Sequence, residues 1–422
     1  MFGIKDGFDV VIANPPYVRQ ETIKDQKPIL QQQNYDVFNS TSDIYTYFYE
    51  KGYQLLKTNG ILCFISSNKW MRAKYGEKLR RFFKEKTTLK QIIDFNGYQV
   101  FDATVDTNIL LFQKAKPSEN IVHILNIQPD FTPETDITDY FNSHKLEMKQ
   151  SEFDSNCFTF ADETVMNLKA KIERIGKPLK DWDIKIYRGV LTGFNEAFII
   201  DTETKEKLCK EDPKSIEILK PILRGRDIGK YYYKWAGLWV IKIESGWTNK
   251  NRDRKEPVTF FKESYPAVYK HLKTFGNTKG KGKGLYNRDD QGDYWWELRD
   301  CDYYDEFEKE KIVWQEIVRE PSFAYDTKNN YCEATSFLMT GKNLKYLIAL
   351  LNSKPVTFFF KQFYAGGGLG EEGYRYKKAF LEQLPIPKIS ESEQKPFIDL
   401  VDKILAITKD EDYLQNKEKQ AK

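Results

Sequence analysis

The stretch Asp9-Val10-Val11-Ile12-Ala13-Asn14-Pro15-Pro16-Tyr17 decides how the rest of the chain is read. The apolar run over residues 8–13 predicts a strand buried on both faces, as a parallel sheet requires. It stops at Asn14-Pro15-Pro16, where two prolines remove two N–H donors and hold a path that neither sheet nor helix continues. Such an ending presents an amide side chain, free carbonyls and an aromatic ring at the carboxyl end of a strand. Ligands of open α/β sheets bind there. These groups suit transfer to a planar amine, whose lone pair is delocalised into its ring and is a poor nucleophile. The Asn14 side-chain oxygen and the Pro15 carbonyl can each accept one amine hydrogen and aim the lone pair at an incoming methyl group. Orientation and electrostatics then carry the reaction, with no general base of shifted pKa. Tyr17 can stack on a base rotated out of its duplex, offsetting an unstacking cost of roughly a few kcal/mol. Taken alone, the tetrapeptide also fits a Pro-Pro turn after a core strand, with Tyr17 as a packing residue.

Outward from this tip the pattern is that of an α/β domain. Residues 18–42 are polar, glutamine-rich and aperiodic, a long loop of the kind found over active sites. Ile44, Tyr47, Phe48, Leu55 and Leu56 share one face of a helix expected over 43–56, with Asp43 as N-cap. Asn59-Gly60 ends it, and Ile61-Leu62-Cys63-Phe64-Ile65 reads as a second buried strand. A helix over 75–85 and a strand over 89–95 continue the rhythm of a doubly wound sheet. Two strand-like pieces within 100–113, flanking Asp102-Ala103-Thr104, and an alternating stretch over 121–127 predict that the sheet ends in antiparallel strands. Residues 132–174 are charged and mixed, with a helix expected over 164–175.

From about Gly176 the texture changes to short strands, glycine-rich turns, many tyrosines and tryptophans, and dense basic residues. The clusters are Arg224-Gly225-Arg226, Lys250-Asn251-Arg252-Asp253-Arg254-Lys255, and residues 279–288 with glycines at 280, 282 and 284. Between them lie Tyr231, Tyr232, Tyr233, Trp235, Trp239, Trp247, Trp295 and Trp296. Gly-Lys loops beside aromatic strands suit phosphate contacts and stacking on bases. Any one cluster is equally a solvated surface over core tryptophans; the set together points to nucleic acid. Leu384-Pro385-Ile386-Pro387 closes this region, and a helix over 390–408 follows, with Ser390 and Glu393 as a capping box. Phe397, Leu400, Val401, Ile404 and Leu405 form its packing stripe, and the charged tail from Lys409 should fray.

Composition narrows the classes. A chain of 422 residues suits two or three domains, and 40% hydrophobic with 15% aromatic residues excludes wholesale disorder. The net charge of +4 is mild, so the placing of Lys and Arg matters more than their sum. Five cysteines without a Cys-x-x-Cys pair, and three histidines, argue against a zinc site. The odd, dispersed thiols fit a reducing cytoplasm. No leader pattern and no apolar run of spanning length is present. A Pro-Cys nucleophile for cytosine-C5 chemistry is missing, and Asp201-Thr202-Glu203-Thr204-Lys205, a nuclease-like Glu-x-Lys, reads more simply as a charged turn.

Asn14-Pro15-Pro16-Tyr17 after a strand resembles motif IV of the amino-methyltransferases in its adenine-N6 form. Leu56-Lys57-Thr58-Asn59-Gly60-Ile61-Leu62-Cys63-Phe64-Ile65-Ser66-Ser67-Asn68-Lys69-Trp70 is similar to that family's strand-and-turn block supporting the base pocket. Val100-Phe101-Asp102-Ala103-Thr104-Val105-Asp106-Thr107-Asn108-Ile109 is similar to the block whose aromatic ring packs on the flipped base, with Phe101 at the matching position. Downstream, Tyr187-Arg188-Gly189-Val190-Leu191-Thr192-Gly193-Phe194-Asn195-Glu196-Ala197-Phe198, then Leu219-Lys220-Pro221-Ile222-Leu223-Arg224-Gly225-Arg226-Asp227-Ile228, and Leu384-Pro385-Ile386-Pro387 resemble the TaqI-like C-terminal specificity domain. That domain occurs in γ-type adenine methyltransferases and in Eco57I-like enzymes that fuse restriction and modification.

The resemblance covers nearly the whole chain. It implies a partial doubly wound Rossmann-like methyltransferase sheet over 1–130 and a connector over 131–175. An α+β DNA target-recognition domain over 176–389 and a C-terminal helix and tail over 390–422 complete the expected α/β architecture. It implies S-adenosylmethionine as cofactor and double-stranded DNA as partner; no metal is expected, from the cysteine and histidine pattern above. Asn14, Pro15 and Tyr17 take the catalytic positions and Phe101 the stacking position. Arg188, Arg224, Arg226 and Lys230 are candidate DNA contacts, although Arg226 would also serve to brace its turn through Asp227. Members of the family carry a cofactor half before motif IV, and here thirteen residues precede Asn14. Ala365-Gly366-Gly367-Gly368-Leu369-Gly370 lacks the lead-in of a permuted glycine turn and reads, like Gly280-Lys281-Gly282-Lys283-Gly284, as a recognition-domain loop. The chain therefore reads as the C-terminal part of an enzyme, its cofactor half on another chain or lost, and its opening strand left with an unpaired edge. Three alternatives stay open: a DNA-recognition fragment or specificity subunit inactive alone, a piece of a fused restriction-modification enzyme without its nuclease, and a methyltransferase of protein glutamine.

Overall fold

Alternating apolar strands and amphipathic helices give the chain two units in the computed structural model, Met1–Arg174 with Lys361–Tyr374, and Ile175–Phe360 with Arg375–Lys422. The structure describes residues 6–102, 105–155, 157–161, 163–276, 284–365, 373–410, 412–417 and 419. The lysines and glycines of 279–283 and the glycine run of 366–370 lie outside the described residues.

In the first unit six strands make one mixed sheet: β1 (Phe8–Ala13), β2 (Leu56–Ser67), β3 (Thr88–Asp94), β4 (Thr107–Gln113), β5 (Ile121–Asn126) and β6 (Leu146–Lys149). Their order is β1-β2-β4-β3-β5-β6. β1 runs parallel to β2, and β3 parallel to β5. The expected antiparallel end is corrected: β4 enters between β2 and β3, antiparallel to both. Its Leu110 and Phe112 are fully buried, a side-chain set that belongs mid-sheet. β6, from the stretch expected as connector, pairs antiparallel with β5 at the far edge. Of the two strand-like pieces within 100–113, the first is bend and coil where described.

Helices α1 (Lys27–Gln32), α2 (Tyr45–Leu55), α3 (Glu77–Lys86), α4 (Ile137–His144) and α5 (Glu163–Ile175) complete the unit. An aromatic core joins α2 and α3 to the sheet. Tyr49 meets Phe83 edge-on at 5.0 Å, and Trp70 meets Phe83 at 5.0 Å. Asp43 does not cap α2, whose N-cap is Ile44. Its carboxylate accepts the Gln20 N–H at 2.9 Å instead, while Ile44 N–H donates to Val18 O at 3.1 Å. The loop after the tip is thereby tied to the start of α2.

Burial of β1 on both faces is also corrected. Val11 and Ala13 pack on the aromatic core, whereas Phe8, Val10 and Ile12 are 37%, 52% and 76% exposed. Side chains alternate along a strand, so one face of β1 is core and the other is open. Gly60 of β2 permits the close approach of the two strands, since a Cβ there would lie 2.8 Å from Phe8 O.

The second unit holds two four-stranded sheets. One is ordered Tyr331–Cys332, Leu219–Leu223, Leu238–Ile241, Ile199–Asp201; the other Phe323–Asp326, Lys311–Gln315, Ser336–Gly341, Ile184–Arg188. Lys311 and Asp326, both fully buried, pair at 2.7 Å inside the second sheet. The Asp-Thr-Glu-Thr-Lys segment is a helix start, not a turn: Asp201 caps Thr202–Glu211 by accepting the Thr204 N–H at 2.8 Å. No group of three or more metal-ligating side chains occurs among the described residues. The C-terminal helix Glu391–Thr408 carries the expected capping box, with Val401 buried and Leu400 55% exposed. No helix of the described residues is long and apolar enough to cross a membrane.

Candidate active site and DNA-facing residues

β1 delivers Asn14 into solvent at the carboxyl end of the sheet, and Pro15 behind it is buried. Tyr17, half-buried, reaches Phe101 with ring centroids 6.2 Å apart and planes tilted by 55°. Residues 84 positions apart in sequence, 101 less 17, thus form one aromatic corner beside two carbonyl-type acceptors. Burial raises the Tyr17 phenol above its ordinary value, and its hydroxyl finds no partner among the described residues.

Beneath this corner lies a polar network that the sequence reading missed. Tyr49 and Ser66 share a hydrogen bond of 2.8 Å, Ser66 donates to Asn108 Oδ1 at 3.3 Å, and Trp70 Nε1 donates to the same oxygen at 3.3 Å. Burial pushes the Tyr49 phenol well up, and the nearby Tyr17 phenol adds to the shift. Asn108 Nδ2 and Thr107 Oγ1 are buried without a partner among the described residues. A second group sits at the end of β3. Asp94, fully buried, accepts from Asn68 Nδ2 at 2.8 Å, Asn96 N–H at 3.0 Å and Arg72 Nη2 at 3.2 Å. Burial and the Asp94 charge hold the Asp106 carboxyl above its usual value. One signal was available: asparagine and serine at the ends of otherwise apolar strands, where a core residue would be expected.

In the second unit, Arg188 and Arg224 come to the two sides of one crossing. Gly189 passes so close to the other chain segment that a Cβ would lie 2.1 Å from Glu333 O, and Val190 bridges Glu333. Arg224, not Arg226, braces its turn. Its guanidinium spans Asp227 with Nη2 to Oδ1 at 2.7 Å and Nε to Oδ2 at 3.0 Å. The Arg224 guanidinium is held above its ordinary value by that hydrogen bond. Arg226 and Lys230 stand exposed, and Arg226 lines a groove of about 320 Å³ with Tyr232 and Lys234. Arg188 opens onto another of about 440 Å³ with Arg299 and Tyr303. Arg288, from the 279–288 cluster, is no surface contact: it is buried and donates to the carbonyls of Thr192 at 3.1 Å and Asp290 at 3.0 Å. Burial draws its guanidinium down to about 10.

Residues 1–101 match the Eco57I restriction-modification methylase family, and residues 220–386 the TaqI-like C-terminal specificity domain. Type II methyltransferase M.BstVI of Geobacillus stearothermophilus is 24% identical, over 92% of this chain and 69% of its own length. M.XhoI of Xanthomonas vasicola is 26% identical over 56% of this chain and 44% of its own. Among solved structures, the type IIL restriction-modification enzyme MmeI in complex with DNA superposes with a TM-score of 0.60 at 15% identity, over 94% of this chain and 49% of that one. That likeness is one of fold. The chain thus spans under half the length of the M.XhoI relative and about half of MmeI. A methylase-family match over residues 1–101, a specificity-domain match over residues 220–386 and type II methyltransferases among its relatives make this chain similar to the type II restriction-modification methyltransferases.

Proposed function

We propose that this chain holds the target base and reads the DNA in a site-specific adenine-N6 DNA methyltransferase. The observation that carries the reading is the tip: Asn14 and Pro15 at the carboxyl end of β1, beside the Tyr17–Phe101 corner at 6.2 Å. A flipped adenine lies with its face on that corner and its amine between the Asn14 Oδ1 and Pro15 O acceptors. Each acceptor takes one N–H, which turns the nitrogen lone pair out of conjugation. Tyr17 excludes water from one face of the base. The Tyr17 hydroxyl lies near Tyr49 of the network below and makes no hydrogen bond to it, so it stays available to the bound base.

S-adenosylmethionine, the donor of this family, supplies an electrophilic methyl group when bound. The described residues fit the acceptor side of that chemistry and do not enclose a cradle for the donor, because the outer face of β1 is open at Val10 and Ile12. A polypeptide outside these 422 residues, carrying a strand that pairs with β1, completes the donor side. The DNA contacts fall to the second unit, with Arg188, Arg226 and Lys230 presented for them and Arg224 shaping the turn.

The test is transfer of labelled methyl from S-adenosylmethionine to duplex DNA by the chain assembled with its donor-binding half, followed by nucleoside chromatography. Label in N6-methyl-2′-deoxyadenosine is the expected result. Label in a methylated cytosine, or in a protein substrate, would overturn the reading.

A further inference from the structure

Glu316 follows the strand Lys311–Gln315 and is surrounded by three cations from two separate parts of the second unit. Arg188, at the end of Ile184–Arg188, places Nη2 3.8 Å from Oε2. Arg375, in Tyr374–Arg375, places Nη1 3.5 Å from Oε1, and Lys377 places Nζ at the same 3.5 Å. The carboxylate is only 13% exposed, while the three cations are 54%, 40% and 41% exposed.

The hub is fixed on every side. Its N–H donates to Thr335 O at 2.9 Å, and its carbonyl accepts the Tyr376 N–H at 2.7 Å. Arg188 is held a second time, through Nε to Ala334 O at 2.8 Å. Three positive charges against one negative leave an excess of two. Exposed pairs at these separations add little stability, and three like charges crowded together oppose it. Such a cluster wants a further anion. A single carboxylate has been used to hold three long, flexible side chains in one array before that anion arrives.

We infer that Arg188, Arg375 and Lys377 form a claw for the phosphodiester backbone of duplex DNA, with Glu316 as the positioning residue that sets it. This rests on the DNA-binding reading above and adds Arg375, Lys377 and Glu316 to its contacts. All three lie within the matched specificity domain. The claw grips phosphate and reads no base, so its contribution is the same on every sequence.

Binding of the full chain to a mixed-sequence duplex, measured across a salt series, tests it. For the Arg375→Gln/Lys377→Gln double variant, the slope of log K against log salt should fall by about 1.8, at roughly 0.9 per lost phosphate contact. Lys262→Gln, an exposed lysine of the helix Pro257–Ser264, should leave the slope unchanged. Glu316→Gln removes a negative charge, yet should weaken binding several-fold because the claw loses its frame. Tighter binding by Glu316→Gln, or an unchanged slope in the double variant, would overturn the claw while leaving the DNA-binding reading intact. Absence of salt-dependent binding by the unaltered chain would instead overturn that reading.

Discussion

Asn14 and Lys311 show how single residues divide between chemistry and support. On the proposed reading, Asn14→Ala in the assembled enzyme removes one of two acceptors that act on the amine in the transition state. It should lower kcat by roughly 10²-fold or more while DNA affinity stays within about twofold, since positioned polar groups act chiefly on the barrier. Equal losses in both would make Asn14 a folding residue. Lys311→Met strands the Asp326 carboxylate in the core and should cost about 3–5 kcal/mol in urea unfolding. Burial pushes the Asp326 carboxyl up, and the Lys311 charge and hydrogen bonds from Lys311, Lys328 N–H and Asn330 outweigh it, for a net lowering. A lowered carboxyl contributes stability above its unfolded pKa of about 3.9, and that stability is lost as pH falls through the folded value. Acid unfolding of Asp326→Asn should therefore depend less steeply on pH below about 4 than that of the unaltered chain. Residue roles were only half legible. Tyr17 was legible as a ring at the strand tip and Phe101 only through resemblance to the base-packing block, while which arginine pairs with Asp227 depended on turn geometry. Arg288 sat in a basic cluster by sequence and in the core by structure, and no local pattern separates those cases.

β1 and β4 make the same point for elements. The hydrophobic runs showed that both were strands, since period and β-branched content are local properties. Their neighbours were not legible, because pairing joins residues far apart: Asn108 of β4 stands opposite both Ser66 and Asp94. For β1, a run apolar on both faces suggested full burial, and the run is indeed built for it, but Val10 and Ile12 face outward at the edge of the sheet. Ile12→Lys should therefore leave the stability of the chain within about 0.5 kcal/mol, as an exposed substitution. The same change should abolish co-purification with the donor-binding half, by placing a charge in the new seam. A variant that still co-purifies would place the seam elsewhere.

For the molecule as a whole, the proposed function makes recognition and chemistry separable. The chain alone should shift duplex DNA in a salt-sensitive manner and transfer no methyl groups, and addition of the donor-binding half should restore transfer without a large change in DNA affinity. Methyl transfer by the lone chain would place the donor cradle within these residues. The two-part layout was legible from texture, as an apolar α/β half and an aromatic-basic half. The segment 131–174 was misjudged because β6 is short and polar and its place in the sheet comes from pairing with β5.

The uncovered edge of β1 also makes the folded state a sensor. Whatever pairs with that edge binds the native chain and not the unfolded one, so it must raise the unfolding free energy by mass action. A partner present at 100 times its dissociation constant is worth about 2.7 kcal/mol. Thermal melting of this chain then titrates any strand that pairs there, readable before any methyl group has moved.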